Sequence, residues 1–137
     1  MNYSVSLLTT KADCQALINI ASAEKEALAY DRQGLLRLRD SHSITAAEIE
    51  TELITVNTEL GILQQVLDTL PDGKLKDETF RKFKKSEYKK FLLEQRSRNY
   101  GVLALLQKEY DIACIDQKIA ESDAFILAVT ERMNQIP

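Results

Sequence analysis

The chain has 137 residues, enough for a single domain that buries its own core without a disulfide or metal staple. Hydrophobic residues make up 45% and charged residues 28%, which excludes a disordered composition, and a net charge of −3 supplies no overall attraction to nucleic acid or anionic lipid. Only four Gly and two Pro are present, too few for the turns of an all-β fold, so the expected class is all-α.

Residues 1–9 alternate weakly through Tyr3, Val5 and Leu7 and are expected to run extended. They carry no basic stretch followed by a long apolar one, so a signal peptide is not expected. No apolar run approaches the roughly 18 residues of a membrane span. The first helix is predicted over 10–40. Thr10 is its N-cap, and Asp13 stands at the third helical position as an acidic variant of the capping box. Cys14, Leu17, Ile18, Ala21, Leu28, Leu35 and Leu38 form its apolar stripe, interrupted at Glu24/Lys25 and Asp31/Arg32. Those charges are expected to face water; the other reading is a semi-buried polar layer that sets register. The segment Asp40-Ser41-His42-Ser43 is read as the break that ends this helix.

The second helix is predicted over 46–70, with Thr45 as N-cap, Glu48 as capping-box partner, and Ile44 and Ile49 as a hydrophobic staple. Ala46, Ile49, Leu53, Val56, Leu60, Leu63, Leu67 and Leu70 keep an unbroken 3–4 spacing, the seam of a coiled coil or tight bundle. Pro71, Asp72 and Gly73 stop it. A third helix is predicted over 78–98, capped by Asp77, and a fourth over 102–135, with the column Leu105, Ile112, Ile119, Ile126 and Met133. Asn99 and Gly101 favour a turn between them. The expected architecture is therefore an antiparallel up-down bundle of four helices in a single domain. The alternative keeps residues 97–101 helical: three helices, the last about 58 residues long, in a dimeric protein.

The stretch FRKFKKSEYKKF, residues 80–91, concentrates aromatic and basic side chains. On a helix, Phe80, Phe83, Tyr88 and Phe91 share an arc of about 140°, with most of the basic residues outside it or along its edge. That segregation predicts an aromatic stripe packed inward with charges behind it. Lys84 and Glu87 fall within the arc and are spaced to pair. Residues 74–98 carry ten basic and four acidic side chains, whereas 46–70 carry five acidic and none basic. Glu52 and Glu59 flank the seam, where ion pairs to the basic helix are expected. Arg81, Lys82, Lys85, Lys89 and Lys90 are the candidate interaction surface. Their alternative role is nucleic-acid binding, which would require aromatics exposed beside the cations as stacking platforms.

Nothing in the sequence assembles a reactive group. His42, the one histidine, is read as a solvated loop residue, and no nucleophile elbow accompanies it. Arg39 occupies the position where a Glu-x-x-His metal motif would need Glu. The two cysteines, Cys14 and Cys114, sit among apolar residues and read as small core residues in a reduced, cytoplasmic protein. No zinc spacing, P-loop, dinucleotide fingerprint or EF-hand is present. No catalytic, cofactor-binding or metal-binding residue is assigned, and no enzyme is expected. Long helical hairpins serve as export chaperones, adaptors and scaffolds, an analogy at the level of fold alone. The expected function is non-catalytic protein–protein interaction, with another protein or a second copy as partner.

Overall fold

The computed structural model describes all 137 residues, from Met1 to Pro137. It is 90% helix and contains no strand, so the all-α class stands. A 3-10 turn at Val5–Leu7 precedes three helices: α1 (Lys11–Thr69), α2 (Lys74–Tyr100) and α3 (Val102–Gln135). The helices expected at 10–40 and 46–70 are one helix. Thr45 therefore lies inside α1 and caps nothing.

The reason lies in what Asp40-Ser41-His42-Ser43 lacks. These residues are poor helix formers, each costing about 0.5 kcal/mol relative to Ala, but none is Gly or Pro. Ending a helix there would orphan four carbonyls on one side and four amides on the other. The heptad also runs straight through. Cys14, Ile18, Ala21, Lys25, Leu28, Arg32, Leu35, Arg39, His42 and Ala46 continue in steps of four and three into the seam from Ile49 to Leu70. Every one of these positions is buried or half-buried. The expected seam over 46–70 is thus correct, and it begins 32 residues earlier, at Cys14.

At the start of α1 the backbone amide of Asp13 donates to Thr10 Oγ1 at 3.2 Å, as expected of an N-cap, while the Thr10 hydroxyl, in place of its backbone amide, donates to Asp13 Oδ2 at 2.7 Å. The Pro71–Gly73 stop also holds. Gly73 precedes α2 with φ +156°, in the region that favours glycine. α2 begins at Lys74, so Asp77 sits in its first turn and is not its cap.

α2 and α3 are separated by one residue, Gly101, where a turn over 97–101 was expected. The amide of Gly101 still donates to Ser97 O at 2.9 Å, and that of Leu105 to Gly101 O at 3.0 Å. A Cβ on Gly101 would lie 2.6 Å from Ser97 O, so only glycine fits. The inward positions change step here. Along α2 they are Lys76, Thr79, Phe83, Ser86, Lys90, Leu93 and Ser97; from Leu93 the steps are four, four and four, through Ser97 and Gly101 to Leu105. That is a stutter, which locally relaxes the supercoil. Beyond it the expected column Leu105, Ile112, Ile119, Ile126 and Met133 is buried or half-buried throughout.

The chain divides into two compact units: Met1–Leu38 with Lys108–Pro137, and Arg39–Gln107. In the first, Cys14 and Val129, both 0% exposed, and Ile136 form the core, with Leu8, Leu17, Phe125 and Met133 packed on it. Arg132 ties down the N-terminal segment by donating to Leu8 O at 2.9 Å and Ser6 O at 3.4 Å. Tyr3 packs edge-on to Phe125, centroids 5.0 Å apart, and donates to Glu121. Lys25 reaches Asp123 at 2.5 Å and Arg32 reaches Asp116 at 2.6 Å, so within this unit the helices run antiparallel. Of the four charges in the α1 stripe, Lys25 and Arg32 are half-buried and form the polar layers that were the other reading, while Glu24 and Asp31 face water as expected.

In the second unit, α1 from Arg39 onward and α2 form a hairpin across the short connection at Leu70–Gly73. Ile49, Val56 and Leu93 are its buried apolar side chains beyond Ala46, and Thr79 and Ser86 are buried with them.

Candidate functional site

The hairpin of the second unit leaves much of its apolar surface uncovered. Thirteen large hydrophobic side chains of the unit are exposed, ten of them on the hairpin, whereas Ile49, Val56 and Leu93 are its buried large ones. Single exposed apolar residues need no explanation, but a concentration of this kind marks an interaction surface. Its arrangement follows from the seam. In α2 the inward face is defined by Thr79, Ser86 and Leu93, one heptad apart, and two of these three are small and polar. The aromatics consequently turn outward: Phe80 is 49%, Tyr88 62% and Phe91 49% exposed. This corrects the expected inward aromatic stripe. Only Phe83 of the four is half-buried.

The outward stripe is organised. Lys84 Nζ lies 5.3 Å from the centroid of the Phe80 ring and pairs with Glu87 at 3.3 Å. Tyr88 and Phe91 stack, centroids 6.4 Å apart and planes 24° from parallel. α1 carries a complementary outer strip, missed in the sequence: Ile44, Ala47, Thr51, Ile54, Thr58 and Gly61, spaced by threes and fours and all exposed. Glu50, three residues after Ala47 and four before Ile54, borders it. Thr51, Thr55 and Thr58 donate their hydroxyls to the carbonyls of Ala47, Thr51 and Ile54, at 3.0, 3.1 and 2.9 Å. With its hydroxyl bonded to the helix's own backbone, each threonine offers its methyl outward. The signal for this strip was present in the sequence as a second 3–4 spacing, offset from the first.

Ile54 and Gly61 of α1 share one side of the hairpin with Phe80 and Phe91 of α2, while Ile44, Thr51, Thr58 and Tyr88 point away from the seams along its outer edges. Ile54 and Gly61 lie roughly 100–120° from the α1 seam, and Phe80 and Phe91 roughly 90–110° from the α2 seam, in the same rotational sense. Because the helices are antiparallel, equal offsets of one sense point to one side. Glu48, Glu52 and Glu59 are offset the other way, as are Lys82, Lys85 and Lys89. The hairpin thus has an aromatic side, which also carries Glu50, Lys84 and Glu87, and a side richer in charge.

No family model, curated protein or solved structure matches this chain.

Of the predicted surface residues, Arg81, Lys82, Lys85 and Lys89 are exposed, and Lys90 is half-buried with Glu94 at 3.9 Å. No ion pair joins any of them to Glu52 or Glu59, contrary to expectation; the pairs in this unit are all within a helix or at its first turn. Each α2 cation has a water-facing position and a long side chain, so holding an exposed cross-helix pair gains little against its entropy. His42 is not a loop residue: it is half-buried in the α1 heptad.

Cys14 is buried in the core, as expected, while Cys114 is half-buried. Cys114 lines an open groove of about 660 Å³ with Tyr30, Asp31, Leu35 and Lys118, and a hydrogen bond to Cys114 raises the pKa of Tyr110 beside it. No three His, Cys, Asp or Glu side chains come together to hold a metal ion. No helix is long and apolar enough to cross a membrane.

Proposed function

We propose that this chain is a non-catalytic protein that works by protein–protein association, docking through the aromatic side of the hairpin in Arg39–Gln107. The observation that carries the reading is the excess of exposed over buried large apolar side chains in that unit. Burying one of them is worth roughly 1.5–3 kcal/mol, so several together supply ample driving force for a partner. Aromatic anchors surrounded by smaller apolar contacts are the usual composition of such a surface. On this reading the four-helix antiparallel bundle is completed by helices from outside the chain, in a cytoplasmic setting where Cys14 and Cys114 stay reduced.

Nucleic-acid binding by Arg81, Lys82, Lys85, Lys89 and Lys90 has one observation in its favour: Phe80, Tyr88 and Phe91 are exposed, as stacking would require. It is the weaker reading, because most of the cations and the aromatics lie on opposite sides of the hairpin. One experiment addresses both. A photo-crosslinking amino acid is placed at Phe91, and separately at Lys85, in the native cells. A discrete protein adduct from position 91 and none from position 85 is the expected result. No protein adduct at 91, or a nucleic-acid adduct at 85, overturns the association reading.

A further inference from the structure

We infer that the hairpin of Arg39–Gln107 carries a built-in joint at the end away from its connection, where its two legs open and close together at His42 and Gly101. The inference is independent of the association reading. It is carried by three observations that meet at one level of the hairpin. The first is the filling of the seam. Counted back from Thr69 and forward from Lys74, the inward positions of the two legs stay level to within one residue. From the connection to Ile49, every level receives a large apolar side chain from α1: Leu67, Leu63, Leu60, Val56, Leu53 and Ile49. The next two levels receive none. Ala46 and Ser97 are each 23 residues from those starting points, and His42 and Gly101 each 27. Alanine and serine bury little apolar area, and a half-buried imidazole level with a glycine adds little more.

The second observation is the backbone of α1. Asp40, Ser41, His42 and Ser43 are poor helix formers in succession, and all but His42 are exposed, so packing does not make up for their propensity. The third is the opposite leg. α2 ends at Tyr100 and α3 begins at Val102, so the helix is interrupted at Gly101, level with His42. Gly101 is buried against its own preceding turn: a Cβ there would lie 2.6 Å from Ser97 O and 2.9 Å from Ser97 Oγ, so no larger side chain can fill the layer from this leg. Few buried apolar contacts and a weak or interrupted ladder are the conditions under which a native protein opens locally, well below the free energy of global unfolding. Here both legs meet those conditions at the same level, and neither braces the other. The seam from Leu67 to Ile49 stays closed, while Gly101, free of a Cβ, absorbs the change in backbone angles.

Hydrogen exchange of the full chain tests the joint, followed residue by residue by NMR under conditions where the rate reports the opening equilibrium. Amides of residues 42–46 and 97–101 should be at least about ten-fold less protected than those of 52–56, and the two sets should agree within about three-fold, as one shared opening requires. The decisive variant alters α1 alone. Ser41→Ala, His42→Leu and Ser43→Ala together raise helix propensity and place an aliphatic side chain in the empty layer. Protection should rise about ten-fold at 42–46 and by the same factor at 97–101, although nothing in α2 has changed. Ser41→Ala with Ser43→Ala, both at exposed positions, should move the two sets together in the same direction by a smaller factor. Protection at 42–46 equal to that at 52–56 overturns the inference. A rise confined to 42–46 in either variant also overturns it, because the end of α2 would then be fraying alone.

Discussion

Arg32 Nε and Asp116 Oδ1 lie 2.6 Å apart, joining an inward heptad position of α1 to α3. One helical heptad earlier in α1, Lys25 does the same with Asp123 at 2.5 Å. The two pairs are spaced seven residues apart on both helices, so together they admit one register: a slip by one heptad would leave one cation and one carboxylate without a partner. The carboxylate raises the pKa of Arg32 by accepting its hydrogen bond and by its charge. The side chains are a third to a half exposed, so each pair is a register device more than a source of stability.

A double-mutant cycle on Arg32 and Asp116, read by urea denaturation, should return a coupling of about 0.2–1 kcal/mol. Replacing Lys25 and Arg32 together by Leu should leave the protein as stable or more so but broaden its distribution of assembled species in sedimentation. A single sharp species in that variant would show that the pairs do not set register.

Residues 40–43 are helix interior, and two substitutions probe that. Ser41→Ala with Ser43→Ala should stabilise, by roughly 0.5 kcal/mol per site, since both serines are exposed and only propensity changes. His42→Pro should cost about 3 kcal/mol or more, because it removes a ladder hydrogen bond and its ring clashes with the preceding turn. Thermal melts followed by circular dichroism give both values. Tolerance of the proline would mean that α1 is broken there.

Gly34, inside α1, and Gly101, between α2 and α3, differ in their surroundings. Gly34→Ala meets nothing within 4 Å and should stabilise by about 1 kcal/mol. Gly101→Ala would set a methyl 2.6 Å from Ser97 O and should destabilise by roughly 1–3 kcal/mol, beyond any gain in helix propensity. Equilibrium unfolding of the two variants side by side checks the sign of each.

Tyr3 supplies the pH dependence. Its pKa is raised above 10.0, first by the hydrogen bond it donates to Glu121 and then by desolvation and the carboxylate charge. The phenol proton makes that bond, so its contribution is full below pH 10.0 and is lost as pH climbs through the higher folded value. Tyr3→Phe should therefore be less stable than the parent at pH 8, and the gap should close above pH 10. Melting temperatures across that range test it, and a gap that stays constant would exclude the bond as its cause.

How much of this was legible in the sequence can be judged residue by residue. The all-α class, the Thr10 cap, the stop at Pro71–Gly73 and the seam from Ala46 to Leu70 were, because each depends on local rules: capping geometry, proline's missing donor, and the 3.6-residue period. The apolar column of α3 was legible for the same reason. The union of the first two helices was written in the heptad through His42, yet local propensity at Asp40–Ser43 outweighed it in the reading; unsatisfied helix ends cost more than a few poor helix formers.

The rotation of α2 is different. Its sequence offers two stripes, the aromatic one through Phe80 and Phe91 and the thinner one through Thr79, Ser86 and Leu93, and hydrophobicity alone prefers the first. Only the tertiary structure decided for the second. From Arg39 to Thr69 α1 is uninterrupted helix with one seam, and α2, joined to it by a four-residue connection, meets that seam with Thr79, Ser86 and Leu93. Helix phase is a property of the pair, and a stripe read on one helix cannot report which face its neighbour will take.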